Sequence, residues 1–284
     1  MTTDPEDLRL AEQEGRLIVT EYPYSPRPRP FAGTRGGEKI GALLEAARPR
    51  FASICRSMLE NEEWFRRIPV RNGGLEDPAP GWVNGMQPAL DGMLLYTLAR
   101  TLNPRTYLEV GSGNSTKFVR RAISDHGLRT RIVSIDPFPR AEVDGLCDEV
   151  VRDAFESVPD ERYRELLSAG DMVFIDNSHR AFQNSDVTVF FTEVLPALPA
   201  GVAYGIHDIF LPDDYPAGWS NRFYNEQYLL AAYLLGGAGG DAVIFPGMFV
   251  SSDPASRQML EPLFGHPHFA EVEGHSGGFW LEKA

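Results

Sequence analysis

Tyr107-Leu-Glu-Val-Gly-Ser-Gly-Asn-Ser-Thr-Lys-Phe118 opens on apolar residues, passes an acid at Glu109, and runs through Gly111, Gly113 and Ser115 into a helix-like segment, Lys117 to Ile123. The order predicts a buried strand, a tight turn and a helix start. Glycines at 111 and 113 permit positive φ and a close approach of backbone to a ligand, which a Cβ would prevent. A helix N-terminus adds N–H groups without intrahelical partners, so a ligand is expected across this turn.

What the turn lacks narrows the ligand. A dinucleotide-binding turn needs G-x-G-x-x-G after its strand, but Thr116 stands at the third glycine position, and the Gly-Lys-Ser/Thr of a Walker A loop is missing as well. The pattern E-x-G-x-G-x-S instead resembles motif I of class I S-adenosylmethionine-dependent methyltransferases. That resemblance implies S-adenosyl-L-methionine as cofactor and Glu109, Gly111, Gly113 and Ser115 as its contacts, the loop holding the methionine end and the acid orienting its ammonium group. An ordinary strand-to-helix turn in another α/β domain is the competing reading of the motif alone.

The chain has 284 residues, 43% hydrophobic and 24% charged, a globular composition with room for one large α/β domain and an extension. A net charge of −13 and a pI near 4.9 argue against affinity won by neutralising phosphates, so neither nucleic acid nor membrane is an expected partner. Cys55 and Cys147 are too few for a disulfide scaffold or a zinc cluster, and the N-terminus has no apolar core preceded by basic residues. A reduced, cytoplasmic protein is expected, with a small-molecule substrate and a homo-oligomeric assembly. No apolar run approaches the length of a bilayer span.

Residues 1–37 read as an extended N-terminal arm, because the prolines of Tyr22-Pro-Tyr-Ser-Pro-Arg-Pro-Arg-Pro-Phe31 cannot join a helix or a central strand. A disordered tail and an arm folded over a neighbouring subunit or the active site are both open for it. Residues 38–103 form a helical extension: Ile40, Leu43, Leu44, Ala47, Phe51, Ile54 and Met58 recur at helical spacing, with Pro49 kinking or splitting the helix. A polar loop from Asn72 to Asn84 and a second helix marked by Leu90, Met93, Leu94 and Leu98 follow.

Residues 104–284 alternate strands with helices, which implies right-handed βαβ units and a mostly parallel sheet. Arg131-Ile-Val-Ser-Ile-Asp136 is the second strand, and its terminal acid suits ribose hydroxyls, with Pro137 and Phe138 flanking the adenine. Glu149-Val-Val-Arg-Asp153 is a short third strand. Asp171-Met-Val-Phe-Ile-Asp176, a near-continuous apolar run, is the fourth, and Val202-Ala-Tyr-Gly-Ile-His-Asp208 the fifth, reached through a helix from Val187 to Leu198. After a helix around Tyr224 to Leu235, Ala242–Phe245 and Gly277–Leu281 close the chain as strands without a well-formed helix between them.

Phe-Ile-Asp-Asn-Ser-His (174–179), Leu-Pro-Ala-Leu-Pro-Ala-Gly-Val (195–202), His-Asp-Ile-Phe-Leu-Pro (207–212) and Tyr-Asn-Glu-Gln-Tyr-Leu-Leu (224–230) extend the resemblance to methyltransferase family 24. It implies a Rossmann-like class I fold of seven strands, the last antiparallel, and an adenine contact at Asp153. The substrate is left open, since members act in varied small-molecule and glycan pathways.

Ligands of an open parallel sheet lie beyond the carboxyl ends of its strands. Asp176, which also borders the cofactor, would gather there with His179, His207 and Asp208 near the transferable methyl. Transfer to a hydroxyl needs alignment and removal of its proton, for which His207 or His179 is the expected base, paired with Asp208 and Asp176. Catechol-type O-methyltransferases, which the chain resembles at Asp176 and Asp208, hold magnesium with an Asp after the fourth strand and an Asp-Asn pair after the fifth. Ile209 replaces that Asn, so a divalent metal on Asp176, His207 and Asp208 would be a softer ion such as manganese, iron or zinc. Trp219, Tyr224, Asn225 and Gln227 are candidates for the acceptor pocket. The competing functions are other chemistry on the same cofactor, such as aminocarboxypropyl transfer or cyclisation, an NAD-dependent oxidoreductase disfavoured by Thr116, and a non-catalytic cofactor-binding module.

Overall fold

The structure, a computed structural model, describes residues 5–139 and 142–284. Strand β1 (Thr106–Val110) is buried along its whole length and pairs in parallel with β2 (Arg131–Ile135) on one side and β4 (Met172–Ile175) on the other. Parallel strands β3 (Glu149–Val151) and β5 (Ala203–Ile206) extend the sheet outward. Beyond β5 the last strand, β7 (Phe279–Glu282), runs antiparallel to both neighbours, β5 and β6 (Ala242–Pro246), giving the order β3-β2-β1-β4-β5-β7-β6. Chain direction out of the sheet reverses between β1 and β4, which opens a crevice at their carboxyl ends.

The helices are α1 (Pro5–Gln13), α2 (Arg35–Ala46), α3 (Arg48–Leu59), α4 (Glu62–Phe65), α5 (Ala89–Leu102), α6 (Asn114–His126) and α7 (Asp160–Leu166). After β4 come α8 (Asp186–Val189), a π-helical turn (Phe190–Val194) and α9 (Leu195–Ala197), then α10 (Glu226–Leu235), α11 (Gly247–Ser252) and α12 (Pro254–Phe264). Two apolar clusters cover the two faces of the sheet. One joins α3, α5 and α6 to Tyr107, Ile132, Phe174 and Trp280; the other joins α2 and α10 to Leu108, Val133, Val173 and Tyr204. Alternate residues of each strand thus feed opposite cores, as the period of two requires. Helices α2 to α5, ahead of β1, share these cores with the sheet.

Packing at α5 and α6 fixes the glycine turn. Phe118 is fully buried and stacks on Trp82 at 5.0 Å, and Gly92 on α5 leaves it room, since a Cβ there would lie 2.7 Å from the ring. Asp91, buried in the first turn of α5, accepts from Gly277 N (2.8 Å), Gly278 N (3.1 Å) and Ser276 Oγ. That carboxylate ties α5 to the start of β7.

Three expectations are corrected. The extended arm begins with α1 in its described part, and α2 starts at Arg35, inside the arm's expected limit; residues 1–4 lie outside the described residues. The arm prolines, by contrast, do lie in non-helical backbone up to Pro30. Between β6 and β7 the chain forms α11 and α12, the second of which the local sequence concealed by placing Pro254 and Pro262 in an eleven-residue helix; Pro254 sits in its first turn, where proline is tolerated. Pro49 likewise starts α3 and so splits the first helical pair. No helix among the described residues is long and apolar enough to cross a membrane.

Candidate functional site

The turn after β1 is built by hydrogen bonds from below. Gly111 has φ +78° and donates to Ile135 O (3.1 Å), and a Cβ on it would lie 1.9 Å from the carbonyl oxygen of Asp176. Glycine is required there by the close approach of two strand ends. Gly113 differs from expectation: its φ of 174° is extended, not left-handed, and the space a Cβ would fill is open. It presents bare backbone to the crevice. Its N–H is capped by Thr116 Oγ1 (3.0 Å), which itself donates to Glu109.

Glu109 is a second correction. Its side chain is fully buried beneath the turn and accepts from Tyr107 OH (2.7 Å) and Thr116, so it lies outside the lining of the crevice. Burial pushes its carboxyl up to about 7, against the pull of the Ser115, Thr116 and Tyr107 hydroxyls. Its observed role is to fasten the turn.

A crevice of about 630 Å³ runs over the turn. Gly111, Gly113, Ser115, Asp136, Pro137, Asp176, His179, His207, Asp208, Trp219 and Tyr224 all border it. Asp136 accepts from Ser112 N (2.8 Å) and Phe138 N (2.8 Å), joining the turns after β1 and β2, and the Phe138 ring is 87% exposed at the crevice edge. Asp153 is not in the lining; it borders a separate hollow with Arg162 and Glu165, because β3 ends short and the chain that follows offers Ala154 to Glu156 instead. Asn225 is also elsewhere, its Oδ1 accepting from Ala181 N (2.6 Å), and Gln227 is buried with its Oε1 accepting from Phe210 N (2.9 Å).

Some lining residues escaped the sequence reading. Arg222, 3.8 Å above the Trp219 ring, could have been found as a cation in an aromatic stretch. Gln87 and Asn177 each carry a buried side-chain nitrogen without a partner, for which no sequence signal exists.

At the ends of β4 and β5 the crevice meets a cluster of acids and imidazoles. His179 Nε2 lies 3.3 Å from Asp176 and 3.4 Å from Asp208, and His207 Nδ1 lies 3.4 and 3.5 Å from the same two carboxylates. Each ring's other nitrogen meets a further buried carboxylate: His179 Nδ1 to Glu226 at 2.9 Å, His207 Nε2 to Asp91 at 3.1 Å. Glu226 and Asp91 were invisible as site residues because α10 and α5 deliver them from elsewhere in the chain. His179 and Asp208 both hold left-handed backbone, φ +58° and +54°, a conformation that side chains of this kind adopt at a cost.

Burial would lower both histidines, but the surrounding carboxylates reverse it. His179 is pushed up to about 10, mainly by Asp176 and Glu226, and His207 stands well above its ordinary value beside Asp176 and Asp91. Burial is likewise overcome at Asp176, which the two imidazoles hold well below the usual carboxylate range. The surrounding carboxylates thus favour the protonated form of both rings. Among the described residues no group of three or more His, Cys, Asp or Glu side chains stands in metal-holding geometry.

Residues 108–209 match the family model described as a methyltransferase domain. Among solved structures the chain is similar to the SAH-bound methyltransferase PaMTH1 of Podospora anserina, at 16% identity over 80% of this chain and 88% of that one, TM-score 0.44. An O-methyltransferase from Bacillus cereus in complex with SAH gives 14% identity over 82% and 91%, TM-score 0.40. A branched-chain polyamine synthase from Thermus thermophilus gives 15% over 97% and 77%, TM-score 0.42. No curated protein matches.

Proposed function

We propose that this chain, whose residues 108–209 match the methyltransferase domain model, is a class I S-adenosylmethionine-dependent methyltransferase that moves the methyl group to an oxygen of a small-molecule acceptor. The observation that carries the reading is one continuous crevice: bare glycine backbone and Asp136 border it, and the His–Asp cluster borders it too, at the ends of β4 and β5. Asp136 accepts the ribose hydroxyls, Phe138 covers the adenine, and the sulfonium faces the cluster. The nucleoside supplies an activated methyl; the protein's part is alignment and charge.

Proton removal falls to Asp208 in this reading. Its side chain is 17% exposed at the crevice and faces His179 and His207. Two imidazolium rings behind it then steady the acceptor oxyanion until the methyl arrives, a role suited to charges that persist at neutral pH. Trp219, Tyr224 and Arg222 form the acceptor's wall. The test is a turnover assay over a panel of hydroxylated small molecules. S-adenosylhomocysteine and an O-methylated product are expected, with Asp208→Asn lowering turnover about 10²–10⁴-fold while cofactor affinity holds. Release of 5′-methylthioadenosine would instead assign aminocarboxypropyl chemistry.

A second reading is favoured by the spacing in the cluster. Ring-to-carboxylate separations of 3.3–3.5 Å exceed ordinary hydrogen bonds and approach the roughly 3.4 Å donor spacing around a tetrahedral ion with ligands at about 2.1 Å. The outer carboxylates Glu226 and Asp91 also hold the rings as partners of metal-bound histidines do. A divalent ion on Asp176, His179, His207 and Asp208 would require these side chains to rearrange, since no three such groups among the described residues stand in metal-holding geometry; once held there, it would supply Lewis acidity to an acceptor hydroxyl. Activity lost to chelation and regained with manganese, iron or zinc supports this version; activity unchanged by chelation removes it.

A further inference from the structure

The short segment before α5 reaches the crevice ahead of the matched domain. Gly85, Met86 and Gln87 border it, and the Gln87 side chain is only 5% exposed. The segment is held rigidly: Asn84 Oδ1 accepts from Met86 N (3.0 Å), Gln87 N (2.8 Å) and Asn114 Nδ2 (3.2 Å), and Asn84 Nδ2 donates to Gln87 O (3.3 Å). Its side-chain amide, in contrast, has a buried Nε2 with no hydrogen-bond partner. A buried donor left without a partner in this way is unfavourable, and a polar ligand would satisfy it.

Position indicates which part of a ligand. Asn84 joins the segment to Asn114, the first residue of α6, while Asp91, one helical turn beyond Gln87, bonds His207. Gln87 therefore stands between the glycine turn and the His–Asp cluster, the stretch over which the cofactor's amino-acid end must lie. Glu109, the residue the motif offers for that end, is buried beneath the turn; Arg222 packs on Trp219 and Tyr224, and the His179 and His207 rings are engaged by the carboxylates of the cluster. A primary amide matches a zwitterion, its N–H donating to the carboxylate and its carbonyl accepting from the ammonium.

We propose that Gln87 binds the amino-acid end of the cofactor, the part that the motif alone would give to the buried Glu109. The inference rests on the function proposed above. It is tested by calorimetric titration of the full-length chain and Gln87→Met with two ligands: S-adenosylhomocysteine, and 5′-methylthioadenosine, which has the same nucleoside but no amino-acid end. Gln87→Met is expected to raise the Kd for S-adenosylhomocysteine about tenfold or more, while that for 5′-methylthioadenosine stays within about twofold. Equal weakening of both ligands would reduce Gln87 to a structural part, and unchanged affinity for S-adenosylhomocysteine would overturn the proposal. If the unaltered chain bound neither ligand, it is the nucleoside reading that fails, and Gln87 with it. Should Gln87→Met not fold, Gln87→Glu keeps the shape and sets a negative charge against the ligand carboxylate, and the same selective loss is required of it.

Discussion

Burial acts on Glu109 and His179 with different outcomes, and the difference lies in what surrounds each. Glu109 has only hydroxyl partners, so burial dominates and the folded carboxyl titrates near 7 against about 4.5 unfolded. The native state is then the tighter proton binder, and stability falls as pH rises through that interval and is level above it. Glu109→Gln should gain stability relative to the parent between pH 5 and 7 and hold a constant advantage beyond; urea titrations at each pH check this, and a parallel pair of profiles would contradict it. His179 has Asp176 and Glu226 at hand, and charge wins over burial. None of this could be read from the residues alone. The acids at strand ends were legible from their positions in the chain, but Asp91 reaches His207 across 116 residues and Glu226 reaches His179 across 47, separations that only the folded topology closes.

Elements were the most legible level, because β2, β4 and β5 are apolar runs followed by acids, β1 runs into a glycine turn, and the longer helices repeat every three to four residues. The turn after β1 was read correctly at Gly111 and incorrectly at Gly113, since a glycine's identity does not reveal whether φ or bare surface is what is needed. Helix α12 was hidden by its prolines and α11 by its six-residue length, and the role of α5 as carrier of Asp91 and support of Phe118 depends on contacts across the core. Phe118→Ala would empty the space between Trp82 and Gly92 and is expected to cost about 3–5 kcal/mol of unfolding free energy, measured by urea titration. A loss below about 1 kcal/mol would mean that α6 is not braced by this ring. Gly111→Ala is expected to give no folded protein by circular dichroism, as its Cβ would strike the Asp176 carbonyl; a native-like spectrum would refute the close approach of the two strand ends.

As a whole molecule, the chain joins one sheet, two covered faces and a crevice of about 630 Å³ to an arm that contributes little to either core. α1 buries none of its residues, and Arg29 N makes a 2.7 Å bond to Asp214 where the arm meets the body. Removing residues 1–28 should therefore shift Tm by less than about 2 °C; a fall of roughly 10 °C would show the arm packing on a second copy or another partner. Overall charge, −13, excluded phosphate-rich partners from the expectations but said nothing of the acceptor, and the cluster of Trp219, Arg222 and Tyr224 proposed as its wall is assembled only by folding. The central claim is that an S-adenosyl nucleoside lies over the glycine turn with its ribose on Asp136. Thermal unfolding of the full-length chain with S-adenosylhomocysteine at about a hundredfold its Kd should raise Tm by roughly 5–10 °C, with the rise abolished in Asp136→Ala and absent with NAD. A rise with NAD in place of S-adenosylhomocysteine, or none with either, would contradict it.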